Sequence, residues 1–200
     1  MWKRLSLQSP EDADIQEPVT LDEAKEHIIE PTFDGNDDYI FRLIAVARDE
    51  VERFTHRALM KRQATMVLDS FPSWSIELPY GKAQSITSIE YYDSSGAVQA
   101  LSGSASPAVF QVDLTDSSGA VISPLRNSAW PVADVGAISP VTVKWIAGYA
   151  SAEAIPPMIR HAILGQVAKW YELRWDGDHA DVMTPHFYQA LSPYVIPIAA

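Results

Sequence analysis

Cysteine is absent from the 200 residues, which excludes a disulfide framework and any thiolate metal site. No apolar run approaches the roughly 20 residues that span a bilayer. Met1-Trp2-Lys3-Arg4-Leu5 carries two positive charges with no apolar stretch behind it, so neither a membrane partner nor a secretory leader is expected. Positive charge is scarce: 15 Lys and Arg stand against 26 Asp and Glu, for a formal net charge of −11 and a pI near 4.7. A grip on nucleic acid needs basic patches, and this balance argues against one. Catalytic signatures are missing as well: there is no G-x-S-x-G elbow, no Gly-rich phosphate loop and no H-E-x-x-H. The histidines, at 27, 56, 161, 179 and 186, form no short ligand pair on a helix face. His179 and His186 lie near Asp176, Asp178 and Asp181, but at a spacing that matches no metal loop, and the segment reads as solvated and polar. No enzyme, metal or cofactor is expected.

What the chain has is an order of parts. Residues 1–18, polar and acidic with Pro10 and Pro18, read as an extended, poorly ordered or partner-docked arm. Thr20-Leu21-Asp22-Glu23 is a capping box and opens a helix over about 21–30. Asn36, Asp37 and Asp38 provide a cap and negative charge for a second helix over about 37–57. Its apolar stripe is Ile40, Leu43, Ile44, Ala47, Val51 and Phe54. Arg48, Asp49, Glu52 and Arg53 are placed on the other face, with Asp49 paired to Arg53 one turn on. The period then changes from 3.6 to 2 around residues 64–68, 76–78, 110–114 and 141–145, as half-buried antiparallel strands require. Asp93-Ser94-Ser95-Gly96 and Asp116-Ser117-Ser118-Gly119 are turn signals for two hairpins. Residues 102–108 and 124–140 read as long surface loops. Pro156-Pro157 starts a third helix running to Trp175, with Ile159, Ile163, Val167, Trp170 and Tyr171 on its apolar face. Gly165 inside that helix suggests close helix packing. A short helix near 185–192 follows. The boundaries expected are 1–18 for the arm, 19–62 and 150–192 for the helical part, 63–149 for the β-domain, and 193–200 for a tail.

Six tryptophans make sugar stacking one reading of this chain, as a carbohydrate-binding module or a small glycan-active enzyme. Trp145 and Trp170 fall at core positions of their elements. Trp74 and Trp130, beside Pro72 and Pro131 in loops, either pack under a loop or make a partner contact. The tail is unusual in being apolar: Tyr194, Val195, Ile196 and Ile198, kept extended by Pro193 and Pro197, either fold back or enter another protein.

Four stretches, VTLDEAKEHI, ELPYGKAQSITSIEYYDSSG, VTVKWIAGYA and IPPMIRHAILGQVAKWYELR, in this order, resemble the head-tail connector (adaptor) proteins of tailed bacteriophages and gene-transfer particles. The resemblance covers about residues 19–195. It implies an α+β fold, a helical bundle with an antiparallel β-domain inserted between its second and third main helices. It further implies a virion neck protein, assembled in the bacterial host cytoplasm. About twelve copies would form a ring between the portal protein and the stopper or tail-completion protein, and DNA would pass through without specific binding. The portal-binding residues would be Tyr194, Val195, Ile196, Pro197 and Ile198. Asp37, Asp38, Asp49, Glu50 and Glu52 are the candidates for the lumen or the subunit edge.

Overall fold

A computed structural model describes residues 2–7, 16–28, 35–101, 109–116, 118–173 and 185–197. It is an α+β chain with antiparallel sheets and divides into two units: Met1–Ile15 with Lys61–Gly148, and Gln16–Met60 with Tyr149–Ala200.

The first unit is built of strands. A five-stranded antiparallel sheet runs in the order β1 (Trp2–Leu7), β2 (Arg62–Leu68), β8 (Val141–Ala147), β4 (Ala83–Tyr92), β5 (Val98–Leu101). A three-stranded sheet runs β3 (Ile76–Leu78), β7 (Ala120–Pro124), β6 (Phe110–Asp113). The period-2 pattern is realised most fully in β2 and β8. Ala64, Met66 and Leu68 lie opposite Trp145, Val143 and Val141, and all six are buried. Irregularities at Ala83/Ser85 and Ile86/Ser88 let the longer β4 keep pairing with β8.

Residues 2–7 are not part of an arm. They pair with β2 from Trp2↔Leu68 to Leu7↔Ala64, with half-buried Leu5 and Leu7 alternating against exposed Arg4 and Ser6. An edge strand needs one partner and one apolar face, and two leucines suffice for it. Residues 8–15 lie outside the described residues, as does the loop 102–108.

Both hairpins form. In the β4–β5 turn Asp93 Oδ1 accepts Ser95 N at 2.9 Å, Ser95 Oγ at 2.6 Å and Ala97 N at 3.1 Å, and Oδ2 accepts Gln99 Nε2 at 2.8 Å. These donors, with the Ser95 hydroxyl first and Gln99 next, hold the carboxyl at about 2, below its ordinary 3.8. A depressed carboxyl pKa stabilises the fold above the unfolded value, and that contribution is lost as pH falls through the folded one. The hairpin should therefore keep its geometry at pH 4 and loosen as pH falls toward 2. A proton-detected titration of Asp93, with hydrogen exchange at Ala97, checks this; an Asp93 titrating near 3.8 contradicts it. In the β6–β7 turn a Cβ on Gly119 would lie 2.7 Å from the backbone oxygen of Leu78 in β3. Gly119→Ala should thus cost about 1–3 kcal/mol by overpacking against a backbone that cannot give way. Urea unfolding measures it, and an unchanged midpoint would show that the strand yields.

The second unit is helical: α1 (Leu21–His27), α2 (Asp37–Thr55), α3 (Pro157–Glu172) and α4 (Pro185–Leu191). The capping box closes as the sequence requires, with Glu23 N donating to Thr20 Oγ1 at 3.2 Å and Thr20 N donating to Glu23 Oε2 at 2.8 Å. α2 packs on α3, burying Ile40, Ile44, Ala47 and Val51 together with Ile159, Ile163, Val167, Trp170 and Tyr171. The Tyr39 and Tyr171 rings lie 6.3 Å apart, which sets the start of α2 beside the end of α3.

The buried face of α2 is rotated from the expected stripe. Arg48 and Thr55 are inside, while Leu43 and Phe54 are half-buried. Asp49 does not reach Arg53; it meets Arg48 at 2.6 Å, and Arg53 instead takes Glu50. Asn36 does not cap α2, because its side-chain amide donates to Tyr171 Oη at 2.7 Å. Gly165 is not at a close packing site either. It is exposed, with nothing beyond its chain neighbours and its own helix backbone within 4 Å of a Cβ built on it. Gly165→Ala should then raise stability by about 1 kcal/mol through helix propensity alone. A thermal melt reads this, and a fall in the midpoint would point to a neighbour outside the described residues.

Candidate partner-binding surfaces

The C-terminal segment begins as a 3-10 turn, Ser192–Tyr194, and becomes extended only from Val195. Pro193 occupies the first turn, where a missing N–H costs nothing, so it starts this short helix rather than preventing it. The segment lies back on the end of α2. Ile196 N donates to Thr55 O at 3.0 Å, Arg57 Nε donates to Tyr194 O at 2.6 Å, and His56 Nδ1 lies 3.0 Å from Ile196 O. His56 ends α2 in the left-handed region at φ 54°, which turns its ring toward the segment. All three contacts address backbone atoms of the segment, leaving the side chains of Tyr194, Val195 and Ile196 half-buried and Pro197 exposed. Burial pushes the Tyr149 hydroxyl up against the opposing pull of Arg57. Ile198 lies outside the described residues. Sequence reasoning missed His56 and Arg57, whose roles depend on a helix ending two residues earlier than its apolar period suggested.

The five acidic candidates divide. Asp37 pairs with buried Lys25 at 2.9 Å. Glu50 binds Arg53 and accepts the Tyr188 hydroxyl at 3.0 Å; the Arg53 bond comes first among the causes that lower its pKa. Glu52 accepts Leu59 N at 2.8 Å and lies 3.4 Å from Arg48. These three are occupied inside their own unit. Asp38 and Asp49 are exposed, though Asp49 also touches Arg48.

Of the loop tryptophans, Trp130 is half-buried. It stacks on Phe71 at 5.1 Å, lies 6.5 Å from Phe110 and donates its indole N–H to Trp74 O at 3.0 Å. Phe71 in turn meets Tyr91 edge-on at 5.5 Å. These rings satisfy one another. Trp74 is different: its side chain projects from this cluster and is 83% exposed.

Among the described residues no group of three or more His, Asp or Glu is placed to hold a metal, and no helix is long and apolar enough to cross a membrane. His186 is exposed on α4; His179, Asp176, Asp178 and Asp181 lie outside the described residues.

No protein-family model matches this sequence, and no curated protein does. Solved structures do. A chain in the neck of an empty gene transfer agent particle, reconstructed with C6 symmetry, superposes with a TM-score of 0.75 at 22% identity, covering 99% of this chain and 98% of that one. A chain in the virion of the native gene transfer agent gives 0.73 at 21% identity over 99% and 98%. One in the native neck reconstructed with C12 symmetry gives 0.62 at 18% identity over 93% and 97%. The family resemblance carried by the sequence motifs thus extends to the fold along nearly the whole chain.

Proposed function

We propose that this chain is a structural, non-enzymatic protein of the neck of a tailed-phage-like or gene transfer agent particle. In this reading it is a helical bundle with a β-domain inserted between its second and third main helices. About twelve copies form a ring that joins the portal protein to the stopper or tail-completion protein. The observation that carries the reading is end-to-end agreement of fold with chains from particle necks, combined with a sequence whose motifs resemble the same family. The agreement covers residues of both units of the chain.

The charge fits passage of DNA. Twelve copies at −11 each carry a formal charge of about −130, and an acidic wall repels phosphate and keeps the duplex sliding. Asp38 and Asp49 are the exposed members of the candidate set and the ones left to face a lumen or a neighbour. Tyr194–Ile198 is the portal-docking segment, released from the end of α2 to lay its side chains into the portal.

A cryo-EM map of the neck of particles carrying this chain tests the whole reading. A ring of it next to the portal, with the C-terminal segment entering that protein, is the expected view. A neck without the chain, or a basic lumen gripping phosphates, would reject it.

A further inference from the structure

Six of the eleven large apolar side chains left exposed among the described residues belong to one tract of the β unit: Trp74, Tyr92, Val98, Val132, Val135 and Ile138. The tract is held together by backbone bonds. Tyr92 N donates to Pro140 O at 3.0 Å, Tyr92 O accepts Asp134 N at 2.9 Å, and Tyr92 faces Val98 across the β4–β5 pair. Trp74 joins at the other side through its carbonyl and Trp130. The loop is fixed in shape, yet Val132 is 80%, Val135 95% and Ile138 89% exposed. Side chains so apolar and so fully presented cost solubility unless something covers them. Val132, Val135 and Ile138 thus present three apolar side chains from one short loop, more than the single scattered exposures a monomer carries without consequence.

The same unit carries a concavity. An open cleft of about 650 Å³ runs beside the Gln84–Ile89 half of β4; its walls mix Ile86, Leu101, Phe110, Val112 and Leu114 with uncharged polar side chains of β4 and with Gln111, and no charged residue lines it among the described residues. The loop sits at the Tyr92 end of that strand, so knob and cleft are different surfaces of one unit. Residues 127–140 hold a single charge, Asp134, whose Oδ1 is occupied by Gly136 N at 2.8 Å. Copies that each carry −11 repel one another over most of their surface. They approach at least cost where the facing surfaces carry least charge, here one carboxylate on the loop and none among the described residues of the cleft. A knob that meets a cleft elsewhere on the same molecule makes a head-to-tail contact, the kind that closes into a ring.

We infer that the 131–139 loop of one copy docks, through Val135 and Ile138, into the β4–β6 cleft of a second copy of this chain. The inference rests on the ring reading above and adds the surfaces that form the ring. Because the chain has no cysteine, an engineered pair reports the contact without background. In purified particles carrying Val135→Cys with Val112→Cys, a short bismaleimide should give a ladder of dimer, trimer and higher species, and neither single variant should cross-link. Ile138→Asp, at an exposed position, should lower the ladder at least tenfold while leaving the melting temperature unchanged. A dimer from Val135→Cys alone would mean a two-fold contact and overturn the inference. So would a double variant that is present in the neck but stays monomeric, or one that links to a different protein. Absence of the wild-type chain from the neck would instead overturn the ring reading itself.

Discussion

Removing Tyr194–Ala200 is expected to leave a folded, soluble chain that no longer joins portal-bearing heads. Such particles should accumulate as filled heads without tails, or as heads that leak DNA. The fold should survive because Phe187 and Leu191, the buried residues of α4, precede the deletion. What is lost on the chain itself, among the described residues, is the bonds to Thr55, His56 and Arg57, one from Val195 N to Ser192 O, and the partial burial of Tyr194, Val195 and Ile196. A hydrogen bond contributes a net 0.5–1.5 kcal/mol, and ordering the segment offsets part of that, so the free chain should lose about 1–2 kcal/mol. Docking is worth more. Fully burying the side chains of Tyr194, Val195, Ile196 and Ile198 yields roughly 1.5–3 kcal/mol each before ordering costs. Repetition around a ring multiplies the effect by avidity. On the proposed function, the segment would leave a weak site that reads backbone for a stronger one that reads side chains. Electron microscopy of particles, beside a thermal melt of the purified truncation, separates the outcomes. Normal tailing would place portal attachment elsewhere, and a truncation that unfolds would make the segment part of the core.

How much of this was legible before the fold was known varied with how local the physics was. The Thr20–Glu23 box, the Asp93–Gly96 turn and the Pro-started α3 rest on interactions within a few residues, and each formed where its residues sit. The alternating strands β2 and β8 were visible because both bury one face of a shared sheet. β1 was hidden because an edge strand of six residues with two leucines has little period to show, and its partner lies some 60 residues away in sequence. Arg48 was misplaced for a similar reason. Periodicity assigns an arginine to water, whereas the partner that pulls it inward, Glu17, belongs to a different segment. The surfaces fared the same way. Trp130 and Trp74 looked alike in sequence, and only the stacking of Phe71 on Trp130 separates a packed indole from an exposed one. In the 124–140 loop, the spacing of Val132, Val135 and Ile138 was there to be noticed, but nothing in a loop's sequence says which way its side chains point.

Arg48 is where a single substitution should damage the helical unit most. Its side chain is buried in α2 and lies 2.8 Å from Glu17, 2.6 Å from Asp49 and 3.4 Å from Glu52. Burial works against the charge there. The hydrogen bond and charge of Glu17, with help from Glu52 and Asp49, outweigh it and raise the guanidinium pKa. The carboxylates of Glu17 and Glu52 are themselves largely enclosed. Arg48→Ala removes the cation and leaves both beside a cavity, and breaking such a pair from one side costs about 3–5 kcal/mol. Arg48→Met fills the volume without the charge and should cost nearly as much. Arg48→Met with Glu17→Gln and Glu52→Gln should recover at least half of the loss, because it removes the stranded charges along with their partner. Glu52→Gln keeps an oxygen that can accept Leu59 N, as Glu52 does at 2.8 Å. Denaturant unfolding of the four proteins measures this. A single variant within 1 kcal/mol of the parent would show that the network adds little, and a triple variant no better than Arg48→Met would show that packing, not charge, sets the cost.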